Sequence, residues 1–187
     1  MHDRLANLLG ATALNVADLV AEAHRKAADL GDSASAALLT VDEFPGLAVT
    51  TLGRYIGLSQ PAAARMVDGL VQRGLVERRA GTGRAVAVHL TAEGEREAAR
   101  ILESRKGVLQ PIVASLDPSE RVALEALLEK VLHAVYDRTE RAGRVPDDAL
   151  GDLLCRLCDR AACLREGAAC PVTQAGSLAA TGGGGHG

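Results

Sequence analysis

All four cysteines of this chain of 187 residues lie close together near its C-terminal end. Their spacing is C-x2-C-x4-C-x6-C, formed by Cys155, Cys158, Cys163 and Cys170. A C-x2-C pair can present two thiolates to one ion, and the two later cysteines could complete a tetrahedral zinc site. The same run could hold an iron–sulfur cluster, because Cys170 is followed by proline as in the cysteine runs of bacterial ferredoxins. The spacing leaves the metal open, with zinc slightly favoured over a cluster and either metal favoured over metal-free redox thiols.

After the cysteines, the arginines are the second set of residues whose chemistry suggests a function. They are concentrated in one short segment, although the net charge of the chain is −3. From position 54 to position 84 the only acidic residues are Asp68 and Glu77. The arginines of this segment are Arg54, Arg65, Arg73, Arg78, Arg79 and Arg84. Clustered guanidinium groups are suited to neutralising the phosphates of nucleic acid. Arg54 and Arg73 fit either phosphate contacts or solvated charges, whereas Asp68 is predicted to be an ion-pair partner rather than a base reader.

A predicted helix-turn-helix positions these arginines. A short helix over 50–56 precedes a tight turn at Gly57. Ser59 then caps a second helix, with Pro61 in its first turn and Gly74 at its end. The apolar side chains predicted to face inward are Met66, Val67, Leu70 and Val71. The outer face keeps small or polar side chains, namely Gln60, Ala62, Ala64 and Arg65. Such a face could approach a major groove closely, with Gln60 and Arg65 reaching base edges or phosphates.

The residues after Gly74 predict a β-hairpin of the kind called a wing. Apolar and polar residues alternate over 75–79 and 85–90, and a glycine-rich turn joins the two stretches. Arg84 lies at the predicted tip, and Arg78 and Arg79 lie at the base. A hairpin arginine beside a major-groove helix could enter the minor groove.

Long helices are predicted on both sides of this unit. Apolar residues recur at helical spacing over 5–27, with Gly31 as the C-cap, and again over 92–116, where Gly107 and Pro111 are places for a bend. Asp117, followed by proline and a capping-box glutamate, begins another helix. The apolar stripes of these helices could pack within the chain or form a dimer interface.

The stretch GLSQPAAARMVDGLVQRGLVERR, followed by GRAVAVHLT, resembles the winged helix of the MarR family of bacterial regulators. The resemblance implies a homodimer that binds a pseudopalindromic double-stranded DNA operator, usually as a repressor. It also implies a recognition helix over 59–73 and a wing over 78–86. The DNA-binding residues so predicted are Ser59, Gln60, Pro61, Ala62, Ala64, Arg65, Arg78, Arg79 and Arg84.

The expected fold is mainly α with a small β-hairpin wing, a winged helix-turn-helix domain plus long dimerisation helices. The dimerisation region spans 1–30 and 92–145, and the DNA-binding domain spans 31–91. A cysteine-rich metal-binding segment over 146–172, with a short helix over 149–158, lies outside the family pattern. The remaining residues, 173–187, are expected to form a flexible tail.

Several classes of protein do not fit the sequence. No arrangement of residues suggests a catalytic triad or a phosphate-binding loop, so an enzyme is not predicted. No apolar run suits a membrane span or a secretory signal, which predicts a cytoplasmic protein without a membrane partner. No residues identify a small-molecule effector. The alternative to a DNA-binding regulator is a metal- or redox-handling protein whose winged helix mediates protein contacts.

Overall fold

The structure is a computed structural model that describes residues 2–80, 86–143, 147–163 and 170–172. Its helices are α1 (His2–Ala28), α2 (Asp32–Glu43), α3 (Val49–Tyr55), α4 (Gln60–Gln72), α5 (Ala92–Ala114), α6 (Pro118–Arg141), α7 (Asp147–Cys155) and α8 (Arg160–Cys163). Its strands are β1 (Leu47–Ala48), β2 (Val76–Ala80) and β3 (Val86–Leu90). The mainly helical fold with a small antiparallel wing is therefore confirmed.

The flanking helices begin and end largely where local signals predict. Asp117 caps α6 through bonds from the amides of Ser119 and Glu120, and the Glu120 carboxylate accepts from the Asp117 amide in a complete capping box. Helix α5 continues through Pro111 to Ala114.

The predicted end of α1 was wrong. The helix ends at Ala28, and Asp29 takes the left-handed conformation with φ 46°. Aspartate tolerates this conformation better than most residues, so no glycine is needed there. Gly31 is instead extended and is the N-cap residue of α2.

The three strands form one antiparallel sheet in the order β1-β3-β2. Val76 pairs with Leu90 across the hairpin, and Leu47 of the short strand β1 pairs with Val88. Strand β1 was not predicted from the sequence. Residues 81–85, the predicted wing tip with Arg84, lie outside the described residues.

Two apolar clusters hold the described part of the molecule together. The larger one is built around α2, whose residues 35–41 are all buried, and includes side chains of α3, α4, α5 and the sheet. The smaller one contains Tyr136 of α6, Leu150 of α7 and Val172. The cysteine-bearing segment thus packs against the last helix of the flanking region.

Apolar side chains remain exposed on the flanking helices of the single chain. On α1 they are Leu5, Leu8, Leu9, Leu14 and Leu19; on α5 and α6 they are Ile112, Val113, Val122, Leu127, Leu128, Leu132 and Val135. None of the described helices is long and apolar enough to cross a membrane.

Candidate DNA-binding surface and cysteine segment

Helices α3 and α4 form the predicted helix-turn-helix. Gly57 begins the turn with φ 74°, a left-handed conformation that favours glycine. The turn is closed by the Leu58 amide, which donates to the Gly53 carbonyl at 2.8 Å. Ser59 is the N-cap residue of α4 as predicted, but its side chain makes no cap hydrogen bond within the described part of the chain.

Helix α4 packs through one face and leaves the other open. Ala63, Val67 and Leu70 are buried at helical spacing. Met66 is half-buried and packs against the larger cluster as predicted, whereas the inward prediction for Val71 was wrong, because 37% of Val71 is exposed at the outer edge of the helix. Its position lies one residue beyond the inward-facing stripe that ends at Leu70.

The predicted recognition residues lie on the open face of the N-terminal half of α4. Ser59, Gln60, Pro61 and Arg65 are exposed, and Ala62 and Ala64 are half-buried. The small side chains leave the backbone of this face accessible to a groove. Their role in binding DNA stays a prediction.

Three arginines of the basic segment, Arg65, Arg78 and Arg79, differ in whether they form ion pairs. Arg78 of β2 forms an ion pair with Asp68 of α4, with 2.7 Å between Nη1 and Oδ1, which confirms Asp68 as an ion-pair partner. Arg79 forms an ion pair with Glu77 on its own strand. Among the described residues, Arg65 has no ion-pair or hydrogen-bond partner, so its charge is available to a ligand.

Arg73 has a structural role that the sequence did not indicate. Its guanidinium donates to the carbonyl oxygens of Asp29 at 2.8 Å and Ala28 at 3.2 Å. A cation near a helix C-terminus satisfies carbonyls that lack a partner within the helix. Arg73 therefore joins the end of α4 to the end of α1.

The cysteine segment begins at α7 and lies against both the winged helix and α6. Leu150 is buried with Tyr136, and Leu154, Cys155 and Cys170 pack around them. Leu157 packs against the larger cluster. The described part of the segment is therefore attached to the domain at more than one place.

The first two cysteines interact directly. The Cys158 amide donates to the Cys155 carbonyl at 2.9 Å, which forms a tight C-x2-C turn. A hydrogen bond from the Cys155 thiol and the positive charge of Arg105, opposed by burial, lower the pKa of Cys158 to about 6. The same hydrogen bond and burial raise the pKa of Cys155. Nη2 of Arg105 lies 3.9 Å from Sγ of Cys158.

The other two cysteines lie near this pair in different surroundings. Cys163 is exposed at the end of α8, and burial and the neighbouring Cys158 and Cys170 raise its pKa. All four cysteines are free thiols. The described side chains include no group of three or more His, Cys, Asp or Glu residues arranged to hold a metal ion. A four-cysteine site would require the thiols to come closer together, and it stays a prediction.

A small cavity of about 90 Å³ adjoins the C-x2-C pair. Thr40 and Asp42 of α2 line it opposite Cys155 and Cys158. Burial, and the nearby charge of Glu95, raise the pKa of Asp42.

Comparison with known proteins agrees with this geometry. Residues 28–85 match the model of the MarR family. No curated protein sequence matches the chain.

Several solved structures share the fold. The YusO protein of Bacillus subtilis is 20% identical, with a TM-score of 0.62 over 70% of this chain and 93% of its own. MepR, a transcription regulator of the Staphylococcus aureus multidrug efflux pump MepA, is 16% identical, with a TM-score of 0.63 over 70% of this chain and 97% of its own. MarR of Escherichia coli is 25% identical, with a TM-score of 0.57 over 68% of this chain and 96% of its own.

The matched region, 28–85, contains α2, the helix-turn-helix and the first strand of the wing. Through this winged-helix domain, residues 28–85 of the chain are similar to the MarR family.

Proposed function

We propose that the protein is a transcription regulator that binds a pseudopalindromic DNA operator as a homodimer and acts as a repressor. One observation carries the proposal. The ion pair between Asp68 and Arg78 joins α4 to the base of the wing, so that the open face of α4 and the arginines of β2 belong to one surface. This face includes Arg65, for which the described part of the chain offers no partner.

The chemistry of this surface suits double-stranded DNA. A helix with small outer side chains can enter the major groove, where Gln60 and Arg65 can contact base edges or phosphates. Arg78 and Arg79 lie exposed on the strand that leads toward the tip of the wing, and each forms an ion pair with an acidic residue. Neutralised phosphates release counterions, which makes such binding strongly dependent on salt.

The exposed apolar side chains of α1, α5 and α6 support a dimer. Large contiguous apolar faces commonly mark interfaces. A twofold pair of chains would cover these faces and present two copies of α4 to two half-sites of a palindrome. A dimer bound to an operator within a promoter would exclude other proteins from that DNA, which is the basis for proposing repression.

DNA binding can be tested with a duplex selected from a random library. Light scattering gives the mass of the chain in solution, and fluorescence anisotropy gives the affinity at several salt concentrations. If Arg65 contacts phosphate, Arg65→Gln should make the slope of log K against log salt less steep by about 1.8 for a dimer, since each phosphate contact contributes about 0.9. If Arg65 contacts a base, the selected duplex should lose about 1–3 kcal/mol of its advantage over random DNA.

Lys26→Gln is the matched control, because Lys26 is an exposed cation on α1 that pairs with Glu22. This variant should change neither the slope of log K against log salt nor the preference for the selected duplex over random DNA. A wild-type protein that binds no duplex, or whose binding is insensitive to salt, would contradict the proposal. That result would favour the alternative, a metal- or redox-handling protein whose winged helix mediates protein contacts.

We further propose that the four cysteines bind zinc or an iron–sulfur cluster and that this site modulates DNA binding. The proposal is supported by the tight C-x2-C turn of Cys155 and Cys158 and by the packing of Cys155 and Cys170 against the same apolar cluster. Thiolates are the ligands that both zinc and iron–sulfur clusters prefer. Binding would draw the four sulfurs together and stabilise the segment.

Anaerobic purification, an absorption spectrum and elemental analysis of one sample test the cysteine site. Brown protein with iron and sulfide indicates a cluster, and colourless protein with one zinc per chain indicates a structural zinc. A variant with Cys158→Ser and Cys163→Ser should lose the metal and change the affinity for the selected duplex. Wild-type protein that contains no metal and takes none up, or a variant with unchanged affinity, would contradict the proposal.

A further inference from the structure

Helix α7 lies between the helix-turn-helix and α6, and contacts both. On the side of the DNA-binding unit, Leu153 packs on the turn between α3 and α4. A carbon atom added at Gly57 would lie only 2.9 Å from Cδ1 of Leu153. The side chain of Leu153 is thus pressed against the residue at which the turn begins.

The neighbouring residue of α7 points to a different partner. Leu154 packs with the cluster that contains Tyr136 and Leu150. Leu153 and Leu154 are both half-buried. Two adjacent leucines of one short helix therefore contact two different parts of the molecule, the turn of the helix-turn-helix and the C-terminal part of α6.

Further contacts fix the segment that follows α7. The guanidinium carbon of Arg160 lies 5.0 Å from the ring centroid of Phe44, the residue after α2, and Arg160 also forms an ion pair with Asp152 of α7. Phe44 in turn makes an edge-to-face contact with Tyr55 at the end of α3. Through Arg160 and Phe44, these contacts connect α7 to the ends of α2 and α3.

We propose that α7 is a support for DNA recognition and that Leu153 is a positioning residue for helix α4. The inference rests on the proposed DNA binding, and it assigns a recognition role to a segment outside residues 28–85. Leu153 touches no DNA; it restricts the turn at Gly57, which leads within two residues to Ser59 at the start of α4.

The expected consequence follows from the position of the turn. When Leu153 is shortened, the turn at Gly57 loses the contact that restricts it, and the first turn of α4 can adopt more orientations. Selected DNA depends on one orientation of the recognition helix, whereas random DNA is held by phosphate contacts that tolerate several. Affinity for the selected duplex should therefore fall more than affinity for random DNA.

Leu153→Ala and Leu154→Ala form a matched pair, because both shorten a half-buried leucine of α7. Hydrogen exchange of the full chain reports the turn directly through the Leu58 amide, bonded to Gly53, and the Ala63 amide, bonded to Ser59. Leu153→Ala should speed exchange at 57–64 about tenfold, the size expected for losing part of a leucine contact in a locally opening segment. Leu154→Ala should speed exchange at 130–140 and leave 57–64 unchanged.

The two readouts separate the outcomes. Equal effects of both variants at 57–64, or no effect of Leu153→Ala there, would overturn the positioning role, since a general loss of stability does not distinguish adjacent leucines. Faster exchange at 57–64 without any loss of preference for the selected duplex would also overturn it. If the wild-type chain binds no DNA, the proposed function fails, and the exchange data still decide whether α7 restricts the turn.

Discussion

Gly94 offers a sharp test of how the wing is joined to the flanking helices. It lies in the first turn of α5, where its amide donates to the Thr91 hydroxyl at 3.0 Å. A carbon atom added at Gly94 would overlap the carbonyl oxygen of Leu75 and would lie 3.3 Å from Cδ2 of Leu90. Favourable contacts between non-bonded atoms lie near 3.5–4.0 Å. Gly94→Ala therefore forces the helix and the hairpin apart.

The cost can be worked out from these contacts. The Leu75 carbonyl cannot move freely, because it accepts from the amide of Thr91 at 3.1 Å, and the neighbouring Gly74 carbonyl accepts from the Thr91 hydroxyl at 2.7 Å. We therefore expect the upper end of the cost of overpacking, about 3 kcal/mol. Alanine regains about 1 kcal/mol as a better helix former than glycine. The net expectation for Gly94→Ala is a loss of about 2 kcal/mol in the free energy of unfolding.

Gly107→Ala is the control in the same helix. No atom of the described residues lies within 4 Å of the added carbon, so only the helix-forming preference remains, and the variant should gain about 1 kcal/mol. The two variants should then differ by about 3 kcal/mol, or about 6–12 °C in Tm for a chain of this length. Thermal and urea unfolding at one fixed protein concentration measure this, since a dimer is stabilised by concentration. Equal stability of the two variants would refute the close approach of α5 to Leu75.

Three other predictions follow from individual contacts. Arg73→Gln should lower the free energy of unfolding, measured by urea unfolding, by about 1–2 kcal/mol, because it removes the hydrogen bonds to the carbonyls at the end of α1. A loss of DNA affinity without a loss of stability would show that Arg73 acts as a phosphate contact instead. His24 is fully buried, and burial lowers its pKa below the ordinary value of 6.5. Below pH 6.5 the unfolded chain therefore binds more protons than the folded chain, so the free energy of unfolding of the wild-type protein falls on acidification. His24→Leu should lose less stability between pH 7 and pH 5 in urea unfolding, and an identical pH dependence would contradict this. In metal-free protein, Arg105→Gln should slow the alkylation of Cys158 at pH 7, because the guanidinium of Arg105 stabilises the thiolate. Peptide mass analysis measures the rate of alkylation, and an unchanged rate would contradict this prediction.

The sequence predicted the features that depend on neighbours in the chain. The capping box of α6 satisfies its own amides within four residues, and the buried stripe of α4 follows from helical spacing alone. The end of α1 was missed for a local reason as well. Asp29 provided the left-handed residue that a glycine was expected to supply, and the nearby Gly31 belongs to the next helix.

Features that depend on distant partners could not be predicted in this way. Strand β1 has two residues and exists because Leu47 and Ala48 pair with β3, about forty positions away. The hydrogen bonds from Arg73 to the end of α1 likewise join segments that lie far apart in the sequence, and so does the contact of Leu153 with Gly57. Composition marked the arginines as a group, and only the fold distinguishes those that hold the domain together from Arg65, whose charge has no partner among the described residues.

The position of α7 also has a thermodynamic consequence. Its C-terminal residue is Cys155, and two residues earlier Leu153 touches the turn that begins the recognition helix. A ligand at the thiols that shifts α7 changes the affinity for the operator by some factor, and the operator must change the affinity for that ligand by the same factor. Binding of the operator would then change the affinity of the cysteines for their ligand, just as binding of that ligand would change the affinity for the operator. Chains bound at an operator and chains free in solution would hold the same metal with different strengths.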